Sequence, residues 1–191
     1  MTSTREQFIR TTCQLLESQG YHGTGMAQIV EESGAPKGSL YYHFPGGKEE
    51  LAEKAVELAG RSTADVIRGN LREDLPLPEA LRRYVRGIAD RVKESGYQSG
   101  SPLTATAMET VHGSERLNRA CREAFQRIQK AFEEKLLEAE VPPHQAGQLA
   151  VFLVSAVEGG IILSRTHHSP EPLQKVADQL DEFFQAYEDQ E

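Results

Sequence analysis

A run of hydrogen-bonding residues from Lys37 to His43, with the sequence KGSLYYH, carries the most informative chemistry of this chain. A lysine ammonium can donate to guanine O6 or N7, a serine hydroxyl can bond to several base edges, and a tyrosine can contact a thymine methyl group or a phosphate. Gly38 has no side chain, so a helix that carries it could lie close to the bases. These residue types, gathered in one short segment, fit the edge of a DNA groove.

The residues around this run, from Thr24 to Leu51, have the pattern of two short helices joined by a tight turn. Gly34 can end the first helix because glycine adopts the left-handed conformation at a helix end. Pro36 fits the first turn of the second helix, where its missing N–H is not needed. We expect four positions of the pair to be buried: Ala27, Ile29, Val30 and Leu40. This pattern predicts a helix-turn-helix, whose second helix enters the major groove of DNA.

The charge of the chain opposes this interpretation, because DNA-binding proteins usually present a basic surface. The formal net charge is −8, and residues 1–60 hold five Lys or Arg against eight acids. The distribution weakens the objection, since residues 34–48 contain no acid and include Lys37, His43 and Lys48. Helix N-termini also offer backbone N–H groups and partial positive charge to phosphates. We therefore expect modest nonspecific affinity and greater dependence on fitted contacts.

The composition is that of an ordinary globular protein, with 191 residues, 38% hydrophobic and 26% charged. No uninterrupted apolar run approaches the ~20 residues that span a bilayer, and the N-terminal residues show no signal-peptide core. We expect a soluble, cytoplasmic protein that does not bind membranes. Cys13 and Cys121 form no CxxC pair, and His167 and His168 are adjacent, unlike spaced zinc ligands. The sequence therefore predicts neither a metal site nor a cofactor.

Helical periodicity extends over the whole chain, and no strand candidate is longer than four residues. We predict an all-α fold of about nine helices, the first ending at Gly20. Residues 1–47 would form a three-helix DNA-binding domain, and residues 48–191 a helical bundle for effector binding and dimerisation. The helix over about 144–165 is apolar on most sides, so it needs burial against a second chain. Its pair Gly159-Gly160 suits a close approach of another backbone. The last two helices of two chains would form a homodimer that reads a palindrome.

Several motifs resemble the tetracycline-repressor (TetR) family of bacterial transcription regulators. The likeness covers about residues 5–55, including GY at 20–21, residues 29–34 and the strings PKGSLYYHF and KEEL. The longer string GAPKGSLYYHFPGGKEEL resembles the LmrA/YxaF-like branch, whose members often repress multidrug-efflux or aromatic-compound genes. One departure is an extra residue between Phe44 and Lys48, compared with many members of the family.

The resemblance implies two groups of DNA contacts. Four residues would face the bases in the major groove: Lys37, Gly38, Ser39 and Tyr41. Three would touch the sugar-phosphate backbone: Tyr42, His43 and Lys48. Thr24 would cap the second helix and hold a phosphate. Two alternatives stay open, that one of the two tyrosines packs beneath the helix and that Lys48 is a plain solvated charge.

The resemblance also implies a regulatory pocket in the second domain. Such pockets are mostly apolar with a few polar groups, and the candidates are Tyr84, Ile88, Met108, His112, Phe125, Phe152, Ser155 and Glu158. The carboxylate of Glu158 lies within the apolar segment AVFLVSAVEGG, so it must be paired or hydrated. It belongs either to an interface or to the pocket.

These observations favour a transcriptional repressor that is not an enzyme. The expected protein binds a palindromic double-stranded operator as a dimer and releases it when a small hydrophobic or aromatic effector binds. The segment PGGKEE lacks the earlier glycine and the Ser or Thr of a phosphate loop, and no Ser–His–Asp set is identifiable from spacing. The alternative is a helical small-molecule-binding protein without DNA function, which the acidic N-terminal region favours.

Overall fold

The computed structural model describes residues 3–71 and 75–188. Over these residues the chain forms helices and no strand, which confirms the predicted fold class. The helices within this part of the chain are α1 Thr4–Gly23, α2 Met26–Ser33, α3 Lys37–His43, α4 Gly47–Asn70, α5 Leu77–Glu94, α6 Pro102–Thr110, α7 Glu115–Glu138, α8 Pro143–His167 and α9 Glu171–Glu188.

Short polar residues and prolines set most of the helix starts, as local sequence rules require. The Ser3 hydroxyl accepts from the N–H of Glu6 at the start of α1, and the Ser101 hydroxyl accepts from that of Thr104 at the start of α6. The Ser114 hydroxyl likewise accepts from Leu117 N–H ahead of α7. Such caps satisfy backbone donors that have no partner inside the helix.

The end of α1 differs from the prediction that Gly20 terminates this helix. Gly20 has φ 75° and ψ −179°, which is not helical, and a further turn follows as far as Gly23. The residue therefore kinks α1 instead of ending it. Glycine suits this position because a positive φ is strained for residues with a Cβ.

The chain packs as two compact units, residues 1–62 with 101–126 and residues 63–100 with 127–191. These units are defined by packing, whereas the expected division at residue 47 is one of function and stays a prediction. In the first unit α1 packs against α2, α3 and α6. Its N-terminal core joins the following buried side chains: Phe8, Ile9, Leu15, Ile29, Ala35, Leu40, Phe44 and Leu51. Two aromatic rings of this core, Phe8 and Phe44, meet edge to face with centroids 6.3 Å apart.

The second unit is built on the mutual packing of α5, α8 and α9. Arginines of α5 bind carboxylates of α9, with Arg82 Nη1 3.1 Å from Asp181 Oδ2 and Arg86 Nη2 2.7 Å from Asp178 Oδ1. Another backbone was expected to approach at Gly159-Gly160, whereas the structure shows side chains of the same chain close to Gly160 alone. A Cβ on Gly160 would lie 2.8 Å from Leu173 Cδ2 of α9, whereas a Cβ on Gly159 would meet nothing within 4 Å.

Among the described helices, α8 has the length and composition of a membrane-crossing helix, with a mean hydropathy of 1.8. Counting uninterrupted apolar residues missed it, because Ser155 and Glu158 break the run without lowering the mean much. Within the most apolar 18-residue stretch of α8, only 39% is buried within the chain. The helix therefore presents a substantial apolar surface.

Candidate nucleic-acid interface

The short helix α3 separates its buried side from its exposed side sharply. Leu40 is 1% exposed and Phe44, which follows the helix, is 0% exposed, so both anchor α3 in the core. Tyr41 and Tyr42 are 60% and 83% exposed, and Lys37 and Gly38 are also exposed. Neither tyrosine packs beneath the helix, so the alternative of a structural tyrosine is wrong. The helix thus carries a lysine and two phenols on an open surface.

Gly38 has no packing reason to be a glycine. A Cβ built on it would meet nothing within 4 Å, and the residue lies in ordinary helical conformation. Glycine costs a helix up to about 1 kcal/mol relative to alanine. The missing side chain therefore suits a surface that another molecule approaches closely.

Two further polar residues of α3 are partly engaged with the helix itself. The Ser39 hydroxyl donates to the Pro36 carbonyl at 2.6 Å and keeps its lone pairs for another partner. The His43 ring is half-buried and stacks edge to face on Tyr42, with centroids 5.2 Å apart. Pro36 is the N-cap of α3, with φ −61° and ψ 127°, so it lies just ahead of the first turn instead of within it, where it was expected.

The turn between α2 and α3 has the geometry that the sequence predicts. Gly34 is in the left-handed conformation with φ 64° and donates its N–H to the Glu31 carbonyl. The Ser33 hydroxyl donates to the Val30 carbonyl and accepts from Ala35 N–H. Ile29 is buried as expected, whereas Ala27 is exposed, because α2 turns that position away from the core.

Thr24 does not cap α2, contrary to expectation. The N-cap is Gly25, and no side chain bonds to the first turn of the helix. The Thr24 hydroxyl instead donates to the Gly20 carbonyl at 2.7 Å, and the residue is 1% exposed. A side chain so enclosed does not meet a phosphate, so its place is inside the corner between α1 and α2.

Lys48 lies against an aromatic ring near the start of α4. Its Nζ is 4.4 Å from the centre of the Tyr21 ring, a cation–π geometry. Partial burial lowers the pKa of Lys48, and the charge of Glu109 acts in the opposite direction. The side chain therefore lies against the protein, and its expected contact with the sugar-phosphate backbone stays a prediction.

The acids that follow Lys48 are held by the protein's own donors. The Glu50 carboxylate accepts from Gly46 N–H at 2.8 Å. Glu53 accepts from Arg116 Nε and Nη2 at 3.0 and 2.6 Å, and this hydrogen bond lowers the pKa of Glu53. Glu49 accepts from the Ser114 hydroxyl at 2.5 Å. The Arg116 guanidinium thus offsets the charge of Glu53, while neutral donors hold Glu49 and Glu50.

The residues expected to form the effector pocket do not come together as one group. Tyr84 and Ile88 are each 6% exposed in the second unit, and the Tyr84 ring meets Phe132 edge to face at 5.8 Å. Burial, opposed by Arg91 and assisted by the charge of half-buried Glu158, raises the pKa of Tyr84 to about 12. These three residues remain candidates.

The other proposed pocket residues lie elsewhere. Phe125 belongs to the first unit and is half-buried. Met108 is 77% exposed, and His112 is also exposed, because α6 turns this end toward solvent. Phe152 and Ser155 lie on the exposed side of α8, where the Ser155 hydroxyl bonds back to the Val151 carbonyl. These four residues are exposed in the described chain, and their place in an effector pocket stays a prediction.

The exposed side of α8 and α9 is strongly apolar. Five large side chains there are 43% to 50% exposed: Val151, Phe152, Ile162, Leu163 and Phe183. The Phe152 and Phe183 rings lie 5.8 Å apart, which joins the surfaces of the two helices. Apolar patches of this kind mark sites of protein association.

Sequence reasoning missed three residues in and between α6 and α7 that bind the end of α1 and the start of α4: Glu109, Ser114 and Arg116. Their partners lie 63 to 87 positions away along the chain. No local pattern encodes such pairs. Within the described residues, no cluster of three or more His, Cys, Asp or Glu could hold a metal ion.

Comparisons with known protein families agree with this geometry. Residues 8–55 match the model "Bacterial regulatory proteins, tetR family", and residues 78–179 match "Transcriptional regulator LmrA/YxaF-like, C-terminal domain". Together the two matches span α2 and α3 and most of the second unit.

Two relatives from Bacillus subtilis are similar over nearly their whole length. The HTH-type transcriptional regulator YxaF, described as uncharacterized, is 39% identical over 176 residues, which are 92% of each chain. The HTH-type transcriptional regulator LmrA is 39% identical over 176 residues, which are 88% of this chain and 90% of LmrA. Among solved structures, a TetR transcriptional regulator from Legionella pneumophila has a TM-score of 0.83 at 20% identity, covering 96% of this chain and 98% of its own.

Proposed function

Because the chain belongs to the tetR family of bacterial regulatory proteins, we propose that it is a ligand-responsive transcriptional repressor. The family consists of transcription regulators and not of enzymes. In this proposal the protein is cytoplasmic and needs no cofactor. Residues 1–47 bind a palindromic operator, and residues 48–191 bind a small hydrophobic or aromatic effector and form the homodimer.

The exposed face of α3 is the observation that carries the DNA-binding proposal. Lys37, Ser39 and Tyr41 are assigned to base edges, with Gly38 allowing close approach. Tyr42, His43 and Lys48 are assigned to the sugar-phosphate backbone. Anchoring by buried Leu40 and Phe44 supports these roles, since it holds the helix rigidly while its polar face stays open.

The apolar face of α8 and α9 supports the homodimer. Exposure of Phe152, Ile162 and Phe183 to water is unfavourable, and a second copy would cover them. Burial in this interface also accounts for the hydropathy of α8. A symmetric dimer presents two copies of α3 to two half-sites, as a palindromic operator requires.

The buried cluster in the second unit supports an effector site. Tyr84 and Glu158 place polar groups among apolar side chains such as Ile88 and Phe132, which is the composition of small-molecule pockets. Release requires that the effector bind more tightly to the arrangement that does not fit DNA. A coupling free energy of about 1–3 kcal/mol is typical of such regulation.

Selection from a randomised duplex library tests the DNA-binding proposal directly. The folded protein is expected to retain a palindrome with two identical half-sites. Recovery of no motif at low salt would contradict the proposal and favour a small-molecule-binding protein without DNA function.

The selected palindrome then tests regulation. A reporter whose promoter overlaps it should be expressed less when the protein is present, and aromatic or hydrophobic compounds screened for release should restore expression. Substituting Lys37 and Tyr42 together should abolish DNA binding and spare binding of a releasing compound. Increased reporter expression, or compounds that bind without releasing DNA, would contradict the repressor mechanism.

A further inference from the structure

The kink in α1 leaves backbone donors without helical acceptors. Gly20 has a positive φ of 75° within the helix, so the helical hydrogen bonding is interrupted there and the turn from Tyr21 to Gly23 begins a new helical segment. The first N–H groups of a helical turn have no intrahelical partner and need one from elsewhere. This turn leads into α2, whose own N-cap, Gly25, supplies no side-chain hydrogen bond.

Glu109 of α6 supplies the missing acceptor. Its Oε2 accepts from His22 N–H at 2.6 Å, across 87 positions of sequence. Gly20 makes room for it, because a Cβ there would overlap the Glu109 carboxylate. The carboxylate thus acts as an N-cap for the turn, supplied by a different helix. Bonds of this charge-assisted kind are about twice as strong as neutral ones.

The same carboxylate influences a residue assigned to DNA. Its charge acts on Lys48, which lies on the Tyr21 ring beside the capped turn. Glu109 therefore lies next to two parts of the proposed DNA interface. One is the corner formed by the turn from Tyr21 to Gly23 that leads to α2, and the other is Lys48 at the start of α4.

We propose that Glu109 is a positioning residue for DNA binding, which caps the turn between α1 and α2 and so fixes the direction in which α2 and α3 leave α1. It does not touch DNA in this proposal, which rests on the proposed DNA-binding function. The other bonds of the corner are local: the Thr24 hydroxyl donates to the Gly20 carbonyl, and Gln19 Nε2 donates to the Gly23 carbonyl. The hydrogen bond to Glu109, by contrast, joins this corner to α6.

The packing of α6 gives the hydrogen bond added importance. α1 and α6 pack together, and each holds a buried threonine hydroxyl, of Thr12 and Thr106, that has no hydrogen-bond partner in the described chain. Buried hydroxyls without partners weaken packing. The hydrogen bond from His22 N–H to Glu109 near the end of α6 therefore adds a polar contact between two helices that otherwise meet mainly by packing.

Three variants test the cap: Glu109→Ala, Glu109→Gln and the control Glu123→Ala. Glu123 is also an exposed helical glutamate of the first unit, and it forms no hydrogen bond or ion pair within the described chain. Hydrogen exchange of the His22 amide is the first measurement and needs no DNA. We expect exchange about tenfold faster or more in Glu109→Ala. Protection should be kept in Glu109→Gln, because an amide oxygen also accepts the N–H, and in the control.

Affinity for the duplex selected by the wild-type protein is the second measurement. We expect Glu109→Ala to weaken binding about tenfold or more, and Glu109→Gln to bind within about threefold of the wild type. The dependence of affinity on salt should be unchanged in Glu109→Ala because no phosphate contact is removed. Lys48→Ala, by contrast, should lower the salt slope by about 1 per protomer.

Gly20→Ala provides an independent perturbation of the same contact. Its Cβ would displace the Glu109 carboxylate, and φ 75° strains any residue with a side chain. The single variant should reproduce the DNA-binding defect of Glu109→Ala. In the double variant the two losses should combine to less than their product, because the displaced group is already gone.

The outcomes separate this inference from the proposed function. If the wild type selects a palindrome and Glu109→Ala binds it as tightly, the positioning role is refuted and the DNA-binding function stands. If Glu109→Gln is as defective as Glu109→Ala in both measurements, the cap is refuted as well. If the wild type selects no sequence, the proposed function fails, and unchanged exchange at His22 would then refute the cap on its own.

Discussion

Removal of the Lys37 side chain is the sharpest test of the base contacts proposed for α3. Lys37 is the first residue of α3, is exposed, and forms no hydrogen bond or ion pair within the described chain. Surface substitutions of this kind change the free energy of unfolding by about 0.5 kcal/mol or less. Lys37→Ala should therefore leave the fold intact, and its effect on affinity reports the lost DNA contact.

The expected magnitude follows from the number of contacts. A specific side-chain contact to a base edge is worth about 1–3 kcal/mol, and lysine, a point charge without the fork of arginine, belongs to the lower part of that range. Two half-sites then give a loss of about 2–4 kcal/mol for the dimer, or about 30-fold to 1,000-fold in Kd. The loss should be largest on the selected palindrome and small on unrelated duplexes.

Fluorescence anisotropy with a labelled duplex measures this loss. Duplexes altered at each half-site position show which base preference relaxes, and a salt series separates base from phosphate contacts. Lys130→Ala is the matched control, because Lys130 is an exposed lysine of the second unit without an ion pair within the described chain. Equal weakening on all sequences, with a lower salt slope, would refute base reading by Lys37. Unchanged affinity would refute any contact.

Three further results are expected. Phe152→Glu should convert a dimer into monomers in sedimentation velocity, because it places a charge in the apolar face of α8. The control Gln174→Glu, at an exposed position of α9, should leave the dimer intact. A monomeric wild type would refute the interface. Burial raises the pKa of Cys13 and of Cys121 to about 11, above the ordinary 9.0 of a thiol. Both should therefore react slowly with a disulfide reagent at pH 8 until the protein unfolds, and rapid reaction of the native protein would contradict the burial. The pKa of Tyr84 is raised to about 12 from 10.0, so the contribution of its neutral form to stability is complete below pH 10 and is lost as pH rises toward 12. In denaturant unfolding, Tyr84→Phe should avoid about 2–3 kcal/mol of that loss. Parallel changes of the unfolding free energy with pH in the variant and the wild type would contradict this.

Much of the fold could be predicted because its signals are local. Pro36 indicates where α3 starts, and Gly34 indicates where α2 ends, with an observed φ of 64° that is the expected left-handed cap. Both rules depend only on the residues adjacent to the helix terminus. For the same reason the buried positions Leu40 and Phe44 and the exposed face of α3 could be read from spacing within a single helix.

The effector site could be predicted less well, since periodicity reports which side of a helix is apolar and not what covers it. Phe152 belongs to an apolar stripe as much as Tyr84 does, yet Phe152 is 47% exposed and Tyr84 is 6% exposed. Met108 follows a run of small residues in α6 and is 77% exposed. Which stripe faces the interior depends on how the helices pack, and that is a property of the whole unit.

The sequence by itself determined an all-α chain with a helix-turn-helix and the residues that this motif displays, because caps, turns and amphipathic spacing act over a few residues. Only the tertiary structure decided that Gly20 kinks α1 instead of ending it, that Thr24 turns inward, and that Glu109 caps the resulting turn. The physical reason is that a backbone donor released by a kink takes whichever acceptor the packing brings near. Here that acceptor lies 87 positions away, beyond the reach of any local rule.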